Sequence, residues 1–268
     1  MTKITALILA ASRKGAEDEV AKLNNVSHKC LSPVLGTIML ERVVNAIRAG
    51  KYIDRIFISI ESAEIIDRAP ALKAMLADGT IQFVPSADNL FSSIQDAVEA
   101  IDAPFPLLIS TGDNALHTTE MVDYFCDELI SNDSDASVGM TPAQTILDAY
   151  PDGKRAFHEL KGGGWSSCNL YGLKDNKALL AAKAFETGGQ FGKQPSRLRK
   201  AFGLGFFLKY KLKLATLDGL AGHLSRRWKL KLAPLQMPFA DAPIDIDNVG
   251  DFHRTERILR ERQQTDQA

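Results

Sequence analysis

The sequence predicts an α/β protein in which helices cover both faces of a parallel sheet, giving three layers. Through the first half of the chain, short runs rich in β-branched residues alternate with longer stretches whose apolar residues recur at helical spacing. Strand followed by helix and again by strand is typical of right-handed βαβ units, which form parallel sheets buried on both faces. A chain of 268 residues can bury a sizeable core in one large domain.

The predicted elements of the first half follow this alternation. The expected strands are Ile4–Leu9, Arg55–Ile60, Ile81–Val84 and Pro106–Ser110. The expected helices are Met39–Ala49, Ala63–Leu76 and Asn89–Ile101. Because ligands of such sheets bind beyond the carboxyl ends of the strands, the loops that follow the four strands are the expected binding loops.

The second half of the chain is less regular after about Thr119. Its expected elements are a helix capped by Thr118 or Thr119, strands near 136–140, 167–173 and 231–237, helices near 196–210 and 217–227, and a C-terminal helix. The region 151–164, which ends in GGG, shows no clear period and is expected to be irregular.

Composition and charge narrow the classes of function. The net charge is −1, so nothing drives the chain as a whole toward nucleic acid or a membrane. No apolar run reaches the roughly 18 residues of a membrane span. The charged stretch RKGAEDEV follows Met1 to Ser12, which we interpret as the first strand of a cytoplasmic protein and not as a signal peptide. The 3 cysteines lack CxxC spacing, which argues against a zinc site and against a disulfide framework.

A loop that becomes basic follows the first strand. In LILAASRKG, from Leu7 to Gly15, an apolar strand ends in small residues and continues into Arg13 and Lys14. Such a turn can deliver backbone N–H groups to a phosphate, and the alternative is merely the end of a core strand. Lys29, in HKCLSPVLGTIML, could neutralise charge on a leaving pyrophosphate, although a lone lysine is more often a surface residue.

Two acidic motifs carry candidates for metal binding. Asp113 follows an apolar strand in LLISTGDNAL, where a carboxylate can bind Mg²⁺ together with substrate phosphates. The alternative is that Asp113 caps the following turn. In IDIDNVGDF, Asp245 and Asp247 alternate along a strand-like segment and so share one face. Here the alternative is that Asp247 or Asn248 caps the helix that continues from Val249.

In this order the motifs resemble those of a known family. This chain has, in order, the small-residue loop, HKCLSPVLGTIML, STGDNAL and DIDNVGDF. The family has, in the same order, L-A-A-G-x-G-x-R-M, K-x-L-x-P-V-x-G-x-P-M-L, an aspartate after a hydrophobic strand, and D-I-D-T-P-E-D-L. That order is similar to the nucleotidyltransferases of the glycosyltransferase-A-like fold, especially the molybdenum-cofactor nucleotidyltransferase-like (MobA-like) NTP transferases. The resemblance spans Leu7 to Phe252.

The resemblance implies a fold and an activity. The fold would be a Rossmann-like three-layer α/β/α sandwich with a mostly parallel mixed sheet. The activity would be Mg²⁺-dependent transfer of an NMP from an NTP to a phosphorylated small acceptor, with release of pyrophosphate. That acceptor would be a sugar phosphate, an alcohol phosphate or a cofactor precursor. The chain would form one nucleotidyltransferase domain, 1–268, with a nucleotide-binding half, 1–118, and an acceptor-binding half, 119–252.

The resemblance also implies roles for individual residues. Lys29 would stabilise charge on the α-phosphate, and Arg13 or Lys14 would meet the β- and γ-phosphates. Asp113 and Asp247 would hold the Mg²⁺. The other nucleotide-binding candidates are Leu9, Ala10, Ala11, Ser12, Ser86, Ser92, Ser93 and Gly112, and the acceptor-binding candidates are Trp165 and Asn169. For the three serines in PSADNLFSSI, a helix N-cap is an equally good interpretation.

The sequence also departs from the family pattern. Ser12 and Lys14 stand where the family loop carries glycines, and NVGD replaces TPED in the late motif. Because those glycines are missing, a non-catalytic nucleotide-binding sensor on the same fold stays open as an alternative. An NDP-sugar glycosyltransferase is a further alternative, which would need a D-x-D motif where this chain has only TGDNA.

A basic, aromatic stretch near residues 193–231 has no fixed counterpart in the family core. It contains eleven Lys and Arg residues against one acid, Asp218, with aromatic residues interleaved. It can be interpreted as a lid for an anionic acceptor, as an interfacial helix pair on an anionic membrane, or as two ordinary amphipathic helices. The sequence does not decide among these, and it does not predict the oligomeric state.

Overall fold

The computed structural model describes residues 2–151, 157–183 and 203–265. Its strands are β1 Ile4–Leu9, β2 Pro33–Val34, β3 Thr37–Ile38, β4 Ile53–Ile60, β5 Gln82–Pro85, β6 Leu107–Thr111, β7 Ala136–Pro142, β8 His158–Leu160, β9 Gly163–Leu173 and β10 Leu232–Gln236. Its α-helices are α1 Glu19–Leu23, α2 Met39–Arg48, α3 Ala63–Ile66, α4 Pro70–Ala77, α5 Leu90–Ala100, α6 Thr119–Ser131, α7 Ala143–Ala149, α8 Leu179–Ala182, α9 Leu204–Lys211, α10 Leu217–Trp228 and α11 Val249–Thr265.

One mixed sheet organises the described part of the chain. Its strands are hydrogen-bonded in the order β10-β7-β9-β6-β1-β4-β5, with β8 paired to β9 outside this series. Strands β6, β1, β4 and β5 are parallel neighbours, and β10 is parallel to β7. Strand β9 runs antiparallel to both β6 and β7. The sheet is therefore mostly parallel, and the carboxyl ends of β1, β4, β5 and β6 meet at one edge, as the binding-loop prediction requires.

Helices cover both faces of this sheet. Ile4, Ala6 and Ile8 of β1 pack in one buried cluster with residues of α2, α3, α4 and α6. Leu7 packs in a second cluster with residues of α5 and α8. Because successive side chains of a strand point to opposite faces, the two clusters lie on opposite sides of the sheet. This arrangement confirms the predicted three-layer α/β/α sandwich.

One predicted helix was wrong as a single element. The stretch Ala63–Leu76 is divided into α3 and α4, and Pro70 occupies the first turn of α4. Proline has no N–H to donate and restricts the residue before it to extended conformations, so a helix starts at Pro70 more readily than it passes through it. Of the helix predicted near 196–210, residues 196–202 lie outside the described residues, and the remainder corresponds to α9.

The polarity of the helices and the burial of the cysteines test the predictions on membrane spans and on cysteine use. In the three described ranges, every helix is too short or too polar to cross a lipid bilayer. Cys30, Cys126 and Cys168 are buried thiols. Their side chains therefore serve as small apolar core residues.

Candidate active site

A lysine lies between two carboxylates at the carboxyl edge of the sheet. Lys29 Nζ is 2.7 Å from Asp113 Oδ2 and 3.8 Å from Asp247 Oδ1. The side chains of Lys29 and Asp113 are 18% and 20% exposed, whereas that of Asp247 is 48% exposed. Residues far apart in the chain, each named from a different sequence motif, thus form one charged cluster.

The local structure around Lys29 explains its position. Lys29 begins a short 3₁₀ turn, Lys29–Leu31, in which the next two residues are buried. Cys30 Sγ lies 3.5 Å from the carbonyl oxygen of Ala10, at the end of β1. The buried pair therefore fixes the turn against the core and leaves the lysine at the boundary with solvent.

Asp113 is held in place by hydrogen bonds on both its side chain and its backbone. Thr111 Oγ1 lies 2.6 Å from Asp113 Oδ1, and Ile246 N donates to Asp113 O at 3.1 Å. The second of these bonds attaches the late DID motif directly to the loop after β6. The carboxylate therefore takes part in an ion pair and is not merely a turn cap.

Gly112 allows two strand ends to approach closely. Its N–H donates to Leu9 O at 2.9 Å. A Cβ on Gly112 would come within 3.1 Å of the Cβ of Ala10, which is tighter than ordinary contact. The glycine therefore brings the loop after β6 against the small-residue loop after β1, as expected of a shared binding edge.

The ion pair between Lys29 and Asp113 is stable in its charged form. Burial alone would lower the pKa of Lys29, but Asp113 and, less strongly, Asp247 hold that pKa above its usual value. Burial alone would raise the pKa of Asp113, but Lys29 and the hydroxyl of Thr111 hold that pKa below its usual value. Both groups are ionised at neutral pH.

The segment that carries Asp245 and Asp247 is extended but is not a strand, which corrects the strand-like interpretation. Residues 244–247 have no ladder partner. Ile244 and Ile246 are buried, at 1% and 0% exposure, and they anchor the segment in place of a strand pair. The alternation predicted from the sequence persists, since the apolar side chains enter the core while the aspartates remain at the site edge.

Asn248 supplies the cap of α11. Its Oδ1 accepts from Asp251 N at 3.0 Å, and its Nδ2 donates to Asp251 Oδ2 at 2.6 Å. This reciprocal pair is a capping arrangement at the helix start. Of the two capping residues considered from the sequence, Asn248 takes the role, and the Asp247 carboxylate lies beside Lys29.

A bulge in β9 brings Asn169 to the same edge. Val138 of β7 pairs with Tyr171, but Met140 pairs with Ser167, so β9 has extra residues between these two pairs. Asn169 lies among them with φ of 52°, in the left-handed region that few residues other than glycine and asparagine adopt. Bulges re-aim side chains, and this one removes Asn169 from the strand's regular alternation.

Asn169 joins a chain of polar groups that begins at Asp113. Its Nδ2 lies 3.2 Å from both Asn114 Oδ1 and Asp245 Oδ2. Asn114 is fully buried, and its Oδ1 is 2.5 Å from Thr111 Oγ1, the hydroxyl that also contacts Asp113. Thr111 and Asn114 were not predicted from the sequence, although their position beside Asp113 at the end of β6 was the available signal.

His117 ties three site segments together. Its Nε2 lies 3.1 Å from Cys168 O, in the β9 bulge, and 3.0 Å from Ala242 O, before the DID motif. Both partners are acceptors, so Nε2 carries the proton. His117 is only 5% exposed, and burial lowers its pKa to about 4. The neutral imidazole therefore joins the loop after β6, the bulge and the late motif.

Acid is expected to destabilise this junction. The unfolded chain binds the His117 proton near pH 6.5 and the folded chain only near pH 4. His117 therefore contributes stability that is complete above about pH 6.5 and is lost progressively down to about pH 4. Between about pH 7 and about pH 5 the loss is about 2 kcal/mol. We expect urea unfolding of the His117→Gln variant to show a smaller acid-induced loss than wild type, and equal losses would contradict this role.

The loop after β1 contacts an acidic residue that the sequence analysis did not name. Ser12 N–H donates to Glu61 Oε1 at 2.7 Å, and Gly15 N–H donates to Ser12 Oγ at 2.9 Å. The second oxygen of Glu61 lies 3.6 Å from His28 Nε2. Glu61 directly follows β4, so the signal was its place in one of the four expected binding loops.

The two basic residues of this loop face solvent. Arg13 and Lys14 are exposed, and within the described ranges neither side chain makes an ion pair or a hydrogen bond. They directly follow Ser12, at the edge where Gly112 meets Ala10. Their charges are therefore available to an anionic ligand at that edge.

The three serine candidates contribute to the start of α5. Ser92 N donates to Asn89 Oδ1 at 2.9 Å, so Asn89 is the N-cap. Ser93 Oγ accepts from Ala87 N at 2.9 Å, and Ser86 N donates to the carbonyl at the end of β4. None of the three serines is therefore the N-cap, and their role as nucleotide contacts stays a prediction, while the loop itself lies at the same carboxyl edge of the sheet.

Trp165 lies apart from the Asn169 cluster. It pairs with Pro142 of β7 and with His158 of β8. Trp165 is four positions before Asn169 along β9, which corresponds to more than about 10 Å at about 3.3 Å per residue. The structure thus brings one of the two acceptor-binding candidates to the charged cluster and leaves the other further out on the same strand.

Sequence comparison agrees with this geometry of loop, lysine and carboxylates. The MobA-like NTP transferase domain matches residues 6–184, more than half of the chain, including Lys29, Asp113 and Asn169. The chain belongs to the MobA-like NTP transferase family. Both the resemblance to this family and the prediction that the protein is a nucleotidyltransferase enzyme are confirmed. Asp247 lies beyond the matched range.

Solved structures similar to this NTP transferase share its fold along nearly the whole chain. A hypothetical transferase from Thermus thermophilus has a TM-score of 0.74 and 22% identity, and the match covers 94% of this chain and 100% of that one. The 4-diphosphocytidyl-2C-methyl-D-erythritol synthase from Anaerococcus prevotii DSM 20548 has a TM-score of 0.58 and 17% identity, covering 97% and 99%.

A third similar structure is that of a nucleotide complex. It is CMP:2-keto-3-deoxy-manno-octonic acid synthetase complexed with CTP, with a TM-score of 0.55, 8% identity, and coverage of 98% and 100%. At such low identities these similarities establish the fold, which is the predicted glycosyltransferase-A-like one. A search of curated proteins found no match to this NTP transferase.

Proposed function

We propose that this NTP transferase moves an NMP from an NTP to a phosphorylated small-molecule acceptor and releases pyrophosphate. The observation that carries this proposal is the position of Lys29, between Asp113 and Asp247, beside a basic loop at the carboxyl edge of the sheet. Phosphoryl-transfer enzymes work mainly by positioning and by neutralising charge, and this cluster supplies fixed charge where a substrate would bind.

The same cluster fits a divalent cation. Among the described residues, no group of three or more His, Cys, Asp and Glu side chains is arranged to hold a metal. Mg²⁺ in nucleotide enzymes usually binds through one or two carboxylates, with substrate phosphates and waters completing its shell. Asp113 and Asp247, which already share one cation, would supply those carboxylates. The bound metal would neutralise negative charge on the triphosphate.

The transfer step needs little covalent participation by the protein. An acceptor phosphate oxygen forms a bond to the α-phosphorus while the bond from that phosphorus to pyrophosphate breaks, so pyrophosphate leaves with the electron pair. Lys29 lies where it would stabilise charge on the α-phosphate during this exchange. An already ionised acceptor phosphate requires no general base.

Phosphate binding by the loop would rest on side chains as much as on backbone. Arg13 and Lys14 are exposed cations at the loop tip and would contact the β- and γ-phosphates. The N–H of Ser12 is already bound by Glu61, so a triphosphate would compete with that carboxylate. Side-chain cations of this kind replace the backbone contacts that a glycine-rich loop provides.

The acceptor would lie on the opposite side of the cluster, toward β9. Asn169 and Asp245 present an amide and a carboxylate there, in contact with each other at 3.2 Å. We place Asn169 beside the acceptor, and we place Trp165, further along β9, at the outer end of the same surface. Polar groups of this kind orient a hydroxylated molecule by hydrogen bonding.

A pyrophosphate-release screen tests the proposal. Purified protein with Mg²⁺ is supplied with each of the common ribonucleoside triphosphates against panels of sugar phosphates, alcohol phosphates and cofactor precursors. We expect acceptor-dependent release of pyrophosphate with at least one pair. Nucleotide binding without release across the panel would favour the non-catalytic sensor. Turnover of NDP-sugars, supplied in place of the NTPs in a parallel assay, would favour the glycosyltransferase.

Paired substitutions at Asn169 separate its side chain from its backbone conformation. Both Asn169→Gly and Asn169→Ala remove the amide, so we expect each to lower turnover by about tenfold or more. Only alanine is strained at positive φ, so its free energy of unfolding should be lower than that of the glycine variant by about 1 kcal/mol. Initial rates and urea unfolding measure the two effects. A glycine variant with wild-type turnover would show that the amide has no role.

A further inference from the structure

Helix α9 is apolar on two opposite faces. On one face, Phe206 stacks on His223 of α10 with ring centroids 4.2 Å apart, and Tyr210 Oη lies 3.3 Å from His158 Nδ1. A surface helix normally packs one apolar face on the core and presents polar residues to solvent. Helix α9 departs from this pattern, because its other face is not polar.

That other face carries exposed leucines. Leu204 and Leu208 are four residues apart and therefore lie one above the other. Leu212 is the C-cap residue, and Leu214 follows beyond the end of the helix. Their exposures are 63%, 50%, 66% and 60%. In the described residues they are four of the seven large hydrophobic side chains that are exposed. Such a concentration of exposed apolar surface indicates a binding surface.

The charges that surround these leucines are positive. Lys209, Lys211 and Lys213 alternate with them along the chain, and Lys213 lies 3.4 Å from Glu159. In the described ranges no carboxylate pairs with Lys209 or Lys211, and both are exposed. From residue 203 to residue 231 the sequence has seven Lys and Arg residues and one acid. An occupant of this surface must therefore be both apolar and anionic.

We propose that this leucine–lysine surface, made of Leu204, Leu208, Leu212, Leu214, Lys209, Lys211 and Lys213, binds an anionic lipid bilayer. The leucines enter the boundary between headgroups and acyl chains, while the lysine stems extend to the lipid phosphates. Protein interfaces are depleted in lysine, whereas membrane-surface helices are rich in it, so the composition favours a bilayer over a protein partner.

The surface lies next to the strand that carries the acceptor-side residues. Lys161 N, at the end of β8, donates to Ala215 O at 2.9 Å, just after the last leucine. His158 of β8 contacts Tyr210 of α9 and pairs with Trp165 of β9. Membrane contact would thus place the β8–β9 side of the molecule near the bilayer. The proposal concerns binding alone and does not depend on the transferase reaction.

Vesicle cosedimentation tests the proposal with the full chain. The vesicles are phosphatidylcholine alone, or phosphatidylcholine mixed with phosphatidylglycerol, each at low and at physiological salt. We expect binding to the anionic vesicles only, weakened by salt. Each lysine near an anionic surface contributes about fivefold, so Lys209→Gln/Lys211→Gln should weaken binding by about tenfold or more. We expect a loss of similar size for Leu208→Ser/Leu212→Ser.

A matched control isolates the surface from general effects of exposed leucines. Leu147 of α7 is also exposed, at 38%, and is not part of the leucine–lysine surface, so Leu147→Ser should bind vesicles as wild type does. Two results would overturn the proposal: wild type that ignores anionic vesicles, or double variants that bind as tightly as wild type. A third result would also overturn the proposal: a wild type that is dimeric and does not bind vesicles, and that Leu208→Ser/Leu212→Ser converts to a monomer. That result would assign the surface to a second copy of the chain.

Discussion

Asp113→Asn is expected to lower the rate of pyrophosphate release by about 10²-fold to 10³-fold. The change removes one of the two carboxylates that would hold Mg²⁺, and with it the negative charge closest to Lys29. Asparagine keeps the size of the side chain and an oxygen that can accept from Thr111, and Asp247 still lies 3.8 Å from the ammonium. The fold should therefore persist. Initial rates with a saturating NTP, alongside a urea unfolding curve, measure both properties.

A surface ion pair of the same length provides the control. Lys51 Nζ and Asp127 Oδ2 are also 2.7 Å apart, but their side chains are 44% and 46% exposed. Asp127→Asn should leave turnover unchanged and change the free energy of unfolding by less than about 1 kcal/mol. An Asp113→Asn variant that kept wild-type activity with every NTP used by the wild type would remove Asp113 from the metal site.

Lys29→Met is expected to cause the second large effect, on turnover and on stability together. Without the ammonium, the largely buried carboxylate of Asp113 has lost its closest charge partner. A fully buried pair broken in this way costs about 3–5 kcal/mol, and the partial exposure here reduces our expectation to about 2 kcal/mol. Turnover should fall by about 10²-fold or more, because charge on the α-phosphate is no longer neutralised. Urea unfolding and initial rates check the two losses.

The double variant Lys29→Met/Asp113→Asn separates the two roles of the lysine. Removing both charges leaves no uncompensated partner, so stability should return toward that of wild type. Activity should not return, because the double variant lacks both the cation and the carboxylate of the site. Recovery of activity with stability, or double-variant losses equal to the sum of the single ones, would contradict the assignment. Lys51→Met should show neither effect.

The charged cluster could be predicted from the sequence because it depends on topology. Parallel strands place their carboxyl ends at one edge, so an aspartate after β6 and a loop after β1 meet whatever the details of packing. Lys29 and Asp247 come from outside the strands. Their own motifs made them candidates, and their similarity to the family's motifs favoured a site over a surface lysine and a helix cap. The structure adds the physical reason: a buried neighbour, Cys30 beside Lys29 and Ile246 beside Asp247, anchors each charged residue at the edge.

Other parts of the site depend on pairings that no local pattern reveals. Asn169 reaches the cluster through a β9 bulge, and the register of that bulge is set by strand β7, far away in the sequence. The contact of Glu61 with Ser12 depends on the path of a loop without the family's glycines. Pro70 is the opposite case, since its missing N–H was visible in the sequence and should have divided the predicted helix.

Tracing the α-phosphorus is the sharpest test of whether the protein transfers an NMP to an acceptor. Protein, Mg²⁺ and an NTP labelled at the α-phosphate are incubated with the acceptor that gives the most pyrophosphate in the screen, and the products are separated. We expect the label to appear in a nucleotidylated acceptor, with one pyrophosphate released for each label transferred, and we expect Asp113→Asn to eliminate both products. An α-label that stays in bound NTP, with no labelled nucleotidylated acceptor formed, would contradict the proposed transfer.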